Sequence, residues 1–293
     1  MVGELDACVF TFTASGTHPP AHLLSDEKFA SLEGEQIYLF LVAQAELIWY
    51  TELMKSTDED AFQVTIHRFL TEMDAAAQAT GHLDQAQLYV PASVTTDGWV
   101  ASQNAWISEV GLDLIECKLH GQKRVSATFD DFSKTHPDWL PDQLQQLKDD
   151  FDSVLNASSL ASYSQRVRRN RERYADEPML LKRLDILKHK RFLFTNHLKH
   201  KDASAYSAPL DRSMRFLDKK LIKFGQYRAE DAINPMVNAW AIVNNLRQFL
   251  PDAKKAGQSL AEHFGVQLKG MPWMEALNLC TVGSLDAMLA PTF

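Results

Sequence analysis

Cysteine is scarce: Cys8, Cys117 and Cys280 are the three in 293 residues, and they are widely scattered. That excludes a disulfide framework. Long apolar runs are missing too. The longest, Ile37 to Ala43, is strand-sized, whereas a membrane-spanning helix needs roughly 18 to 20 apolar residues. No membrane partner is expected. The first residues, Met-Val-Gly-Glu-Leu-Asp, have neither the basic nor the apolar region of a secretory signal, so a cytoplasmic location is expected. Internal repeats and low-complexity linkers are absent as well. What remains, 45% hydrophobic and 23% charged with 12 Gly and 11 Pro, excludes fibres and disorder and can bury one large core or two smaller ones.

Positive charge is nearly missing from the first 165 residues, which hold 8 Lys+Arg against 25 Asp+Glu. Residues 166 to 228 reverse the balance with 18 against 7, although the whole chain has a net charge of -8. The basic stretch contains Arg166, Arg168, Arg169, Arg171, Arg173, Lys188, Lys190, Arg191, Arg212 and Arg215. Any one of these clusters reads most simply as a solvated helix face. Their density inside an acidic chain instead points to a polyanion that neutralises them, with the phosphate backbone of a nucleic acid as the natural candidate. These ten residues are the expected DNA contacts.

Secondary-structure signals change near residue 118. Before it, strand-like runs cover Ala7 to Thr13, Ala21 to Leu24, Gln36 to Ala43, Glu46 to Glu52, Ser93 to Thr96 and Asp113 to Glu116, each bounded by turn or charged residues. Between them, Glu59 to Thr80 has helical spacing with Phe62, Ile66, Phe69, Leu70 and Met73 on one stripe, and Trp99 to Val110 suggests a second helix. After residue 118 the strand signals vanish. Leu140 to Leu155 and Pro178 to Leu198 predict amphipathic helices, the second packing through Leu180, Leu184, Leu187 and Phe194. Pro209 and Pro235 mark two further helix starts, the latter helix with Met236, Trp240, Val243, Leu246 and Leu250 as a core stripe.

Three acids stand where the chain is expected to change element: Asp26 after the Ala21 to Leu24 run, Asp97 after Ser93 to Thr96, and Asp211 in the first turn of the helix opened by Pro209. Singly, each has a structural explanation as a turn cap or as a charge matched to a helix dipole. Together with their surroundings they resemble the catalytic blocks of bacterial insertion-sequence transposases of the DDE type. Ala21-His-Leu-Leu-Ser-Asp-Glu-Lys28 is similar to the block of the first aspartate, and Val94-Thr-Thr-Asp-Gly-Trp-Val-Ala-Ser-Gln-Asn-Ala-Trp106 to that of the second. Ser207-Ala-Pro-Leu-Asp-Arg-Ser-Met-Arg-Phe-Leu-Asp218 resembles the third-acid helix. Ala239 to Phe249 and Ala256 to Gly265 resemble the closing stretch, so the likeness runs from about residue 20 to about 275.

The resemblance implies an α/β protein with an RNase H-like five-stranded mixed sheet flanked by helices, and a large helical insertion before the third-acid helix. Residues 1-117 would form the first part of the core, 118-205 the insertion, 206-250 the closing helices and 251-293 a C-terminal tail. It implies catalysis by Asp26, Asp97 and Asp211 as ligands of two Mg²⁺ or Mn²⁺ ions, oxygen-seeking cations that can clamp an in-line displacement. The expected reaction is metal-dependent cleavage and strand transfer of DNA, with transposon ends and target as partners and a homo-oligomer as the active form. Glu27 is expected to be a neighbour of the site and not a ligand, because adjacent strand residues face opposite ways. The family's third acid is usually Glu, one methylene longer than Asp211. Only 25 residues precede Asp26, so the N-terminal domain that reads transposon ends is expected to be missing. A catalytically inactive or truncated derivative, acting as a DNA-binding or assembly module, is the alternative. Cys117 and His120 have a ligand-like spacing but lack two further zinc ligands nearby. Trp99 and Trp106 read either as stacking platforms for an unpaired base or, at a seven-residue spacing, as core.

Overall fold

Three antiparallel strands lead the described chain: β1 (His22–Leu32), β2 (Glu35–Gln44) and β3 (Leu47–Met54). The structure is a computed structural model that describes residues 17–32, 35–221, 233–247, 249 and 256–266. The expected strand Ala7 to Thr13 lies outside them. β2 is buried from Leu39 through Ala43, which is why its sequence is continuously apolar instead of alternating. β1 extends well beyond the expected Ala21 to Leu24, because Ser25 to Leu32 pair with β2. Asp26 and Glu27 therefore lie within a strand and not in the turn after one.

Helix α1 (Glu59–Ala79) starts at Asp58, whose carboxylate accepts from the Ala61 amide at 2.8 Å, satisfying one of the unpaired donors of a helix start. Its stripe Phe62, Ile66, Phe69, Leu70 and Met73 is buried. Strand β4 (Ser93–Thr96), helix α2 (Val100–Val110) and strand β5 (Asp113–Glu116) follow. β4 runs parallel to β1 and β5 parallel to β4, giving a five-stranded mixed sheet of order β3-β2-β1-β4-β5. Trp106 is fully buried against Phe40 and Phe69, so it belongs to the core and no base can stack on it.

From Lys118 the chain is helical: α3 (Lys118–Thr135), α4 (Pro141–Leu155), α5 (Leu160–Arg173), α6 (Pro178–His189), α7 (Arg191–Thr195) and a 3₁₀ turn (Asn196–Leu198). The single helix expected over Pro178 to Leu198 is thus broken at Lys190. These helices enclose their own hydrophobic cluster, including Phe132, Leu147, Phe151, Tyr163, Leu184 and Phe194, separate from the cluster around the sheet. Gly121 is what lets Phe194 approach α3, since a Cβ there would stand 2.7 Å from the ring.

Helices α8 (Ala208–Leu221), α9 (Ile233–Leu246) and α10 (Leu260–His263) complete the described fold. β3 is an edge strand, and α9 covers it with asparagines. The Asn245 side chain accepts from the Ile48 amide at 3.0 Å and donates to its carbonyl at 2.7 Å, and Asn234 accepts from the Leu53 amide. Asn238 accepts from the Thr51 hydroxyl. Polar side chains thereby stand in for the missing strand neighbour. On the expected α9 stripe Val243 is exposed, because the buried face runs instead through Ile233, Val237, Trp240, Ala241 and Leu246. Leu250 lies outside the described residues.

Candidate metal centre

The parallel register of β1 on β4 pairs His22 with Ser93 and Leu24 with Thr95. Carried two residues further, that offset sets Asp26 level with Asp97, where β4 has just ended at Thr96. Carboxylate oxygens of Asp26, Glu27 and Asp97 all lie within 4.8 Å of one another, a grouping that could hold a metal ion. Glu27 thus joins the cluster, against the expectation from strand alternation. Alternation separates its Cβ from that of Asp26, but alongside them β4 has stopped, so no strand divides the two faces.

Each acid is held by a local contact. The Asp26 carboxylate accepts from the Glu27 amide at 2.9 Å, that of Asp97 from the Trp99 amide at 2.8 Å, and that of Glu27 from the Ser102 hydroxyl at 2.7 Å. The second Glu27 oxygen is buried without a hydrogen-bond partner. Burial, then the charges of Asp97 and Asp211, push the Asp26 carboxyl up to about 7. Burial, then Asp97 and Asp26, likewise drive Glu27 well above the usual carboxylate range. Three acids crowded together, one with an orphaned oxygen, are unfavourable as bare anions and fit a hard cation with oxygen ligands.

Around Asp97 the loop is clamped by Arg124, Glu116 and Gln103, which the sequence did not single out, and by Lys190, which it assigned to DNA. Arg124 of α3 donates to the Asp97 carbonyl at 3.0 Å and also bonds Glu116, whose side chain is wholly buried at the end of β5. Lys190 reaches Glu116 from the α6–α7 junction at 2.6 Å, and Gln103 of α2 donates to it. Gly98 makes room: its φ is +101°, and a Cβ there would stand 2.6 Å from the Arg124 guanidinium and 2.9 Å from the Glu116 carboxyl carbon. The glycine after Asp97 thus has a steric cause. The sequence marks Glu116 only as the acid that closes the strand Asp-Leu-Ile-Glu; that it is buried, and so needs a partner, comes from the fold.

Asp211 stands apart from the group of three, near enough for its charge to raise Asp26. Its helix is positioned by the segment before it. Thr95 donates to the Ser204 carbonyl, the Lys118 amide to the Ala205 carbonyl, and both the amide and hydroxyl of Ser207 to the Cys117 sulfur. The ends of β4 and β5 therefore hold the chain that starts α8. Burial raises the Cys117 thiol, but hydrogen bonds from His120 and Ser207 outweigh it and bring the thiol down to about 7. Among the described residues the acid group is the one convergence of potential metal ligands, and Cys117 and His120 form no part of it.

The ten expected DNA contacts divide. Arg166 bonds the Ser153 carbonyl, Arg173 pairs with Asp150, Lys190 with Glu116 and Arg212 with Glu46, although the Arg212 side chain stays exposed. Arg169, Lys188 and Arg215 are exposed. Arg168 and Arg171 pair with the solvent-facing carboxylates Glu172 and Asp185, and the Arg191 guanidinium lies 4.5 Å over the Phe192 ring.

Fold and site together define an α/β protein with a mixed five-stranded sheet, helices around it and an acidic cluster that could hold a metal ion at the end of its parallel strands. No family model matches the chain, and no curated protein gives a significant match.

Proposed function

We propose that the chain is the catalytic core of a DDE-type transposase with an RNase H-like fold, cleaving and joining DNA strands with divalent metal ions. The observation that carries this reading is the meeting of Asp26, Glu27 and Asp97 beside the end of β4, with the charge of Asp211 felt at Asp26. The strand order β3-β2-β1-β4-β5, antiparallel through the first three strands and parallel through β1, β4 and β5, supports it. So does the basic character of residues 166 to 228, which suits a phosphodiester substrate.

In this reading Asp26 and Asp97 hold the metal, Mg²⁺ or Mn²⁺, with Glu27 beside them and Asp211 completing the set from α8. Held there, a pair of such ions would supply activation of the attacking oxygen and stabilisation of the leaving one in an in-line displacement at phosphorus. The attacker is water when a strand is nicked and a 3′-hydroxyl when the cut end is joined to a target. Arg124, Glu116 and Lys190 are positioning residues: they fix the loop that presents Asp97.

Supercoiled plasmid incubated with the protein and Mg²⁺ or Mn²⁺ tests the proposal. Nicking that requires the metal and disappears in Asp97→Asn, with DNA binding retained, is the expected result. DNA binding by the wild-type chain without any nicking favours the non-catalytic derivative instead.

A further inference from the structure

The helical insertion carries a groove of about 280 Å³, lined by Tyr163, Ser164, Val167, Arg168 and Arg171 of α5 on one side and by Lys188 and Arg191 on the other. The α5 residues lie on one face because they recur at helical spacing. Lys188 and Arg191 flank the break between α6 and α7. Four cations therefore converge on a small concave surface. Two carboxylates offset them in part, the exposed Glu172 at 3.7 Å from Arg168 and the half-buried Asp185 beside Arg171. Neither Lys188 nor Arg191 has a carboxylate partner among the described residues, so the groove keeps an excess of two positive charges. Its floor is rigid: Tyr163 is buried and its hydroxyl donates to the Leu187 carbonyl. A concave surface with such an excess attracts anions. Arg forks match the paired oxygens of a phosphate, and the Ser164 hydroxyl adds an exposed donor. The volume lies just under the roughly 300 to 1,000 Å³ of small-molecule pockets, which suits a single phosphate-bearing unit.

The groove is also tied to the acid cluster. Lys190, between Lys188 and Arg191, turns the other way and bonds Glu116, which shares Arg124 with the Asp97 carbonyl. We propose that this groove is a phosphate-binding site that grips the backbone of a DNA strand beside the acid cluster. The proposal rests on the reading that the chain acts on DNA.

Titration of a fluorescent duplex with the full chain in EDTA, between about 50 and 200 mM salt, tests the groove apart from any cleavage. Losing two phosphate contacts in Lys188→Ala/Arg191→Ala should lower the slope of log affinity against log salt by about 1.8. The control Lys148→Ala/Lys182→Ala, an equal charge loss at exposed positions outside the groove, should leave the slope within a few tenths. An equal drop in both variants, or in neither, overturns the proposal, with thermal melts confirming that both are folded. Inorganic phosphate and a nucleoside monophosphate, added as competitors, should displace the duplex only weakly. Tight nucleotide binding that duplex DNA does not displace makes the groove a nucleotide site and also overturns it. Groove-dependent DNA binding without metal-dependent nicking would leave the groove standing while the catalytic reading fails. Nicking that is unchanged in the groove variant, with an unchanged salt slope, would do the reverse.

Discussion

Asp26 and Glu27 are buried beside Asp97, and their pH behaviour follows from that crowding. The folded state raises the Asp26 carboxyl to about 7, against about 3.9 for an unfolded aspartate. Between those values the metal-free folded state binds more protons than the unfolded one, so this contribution is complete at low pH and is lost as pH rises through about 7. In EDTA, the stability of wild type relative to Asp26→Asn should therefore fall from pH 5 to pH 8, read by urea unfolding. Because a metal ion and a proton compete for the same oxygens, the stabilisation gained from added Mn²⁺ should grow over that range. A wild-type advantage that is flat in EDTA would show that Asp26 does not hold a proton. At this scale Asp26 and Asp97 stand out in the sequence because the first follows an apolar run and the second a β-branched, strand-like one. Glu27 does not, since strand alternation argues it away from the site and only the early end of β4 lets it in. Arg124 is invisible for another reason: its partners Asp97 and Glu116 come together only through the fold.

Among the elements, the edge strand β3 depends on α9. Replacing Asn245 by Ala removes both bonds to Ile48 and leaves a buried N–H and C=O unpaired, at about 1 to 3 kcal/mol for each unsatisfied group. Asn245→Ala should lower the unfolding free energy by at least about 2 kcal/mol by that reckoning. A change below about 0.5 kcal/mol, the usual range for surface substitutions, would mean that β3 does not rely on this side chain. Elements were legible where a local pattern was clear, over a long stripe or a short β-branched run bounded by turn residues. The α1 stripe and the strands β4 and β5 are as the residue pattern suggests. The extension of β1 was not, because Ser25 to Lys28 is polar and gains its strand character from pairing with β2. Nor was the break at Lys190, whose ion-pair partner Glu116 is brought to it only by the fold. On α9 the expected stripe was partly misplaced, since Val243 faces solvent while Val237 and Ala241 are buried.

Over the whole molecule, the acidic first part builds the sheet, the acid cluster and helices α3 and α4, and the described residues of the basic part lie on the rest of the insertion and α8. The charge division was plain in the sequence. Which cations are paired within the protein was not, because Arg166, Arg171, Arg173, Lys190 and Arg212 find partners 13 to 166 residues away. The separate hydrophobic cluster of the insertion gives those helices a frame on which the remaining cations are displayed. That the carboxylates at the end of the parallel strands form a metal centre is tested most directly by crystals soaked in Mn²⁺ and measured at its absorption edge. An anomalous peak is expected among the carboxylates of Asp26, Glu27 and Asp97, at oxygen-ligand distances of about 2.0 to 2.3 Å as for other hard divalent ions. No peak there, with Mn²⁺ bound elsewhere on the protein, would contradict it.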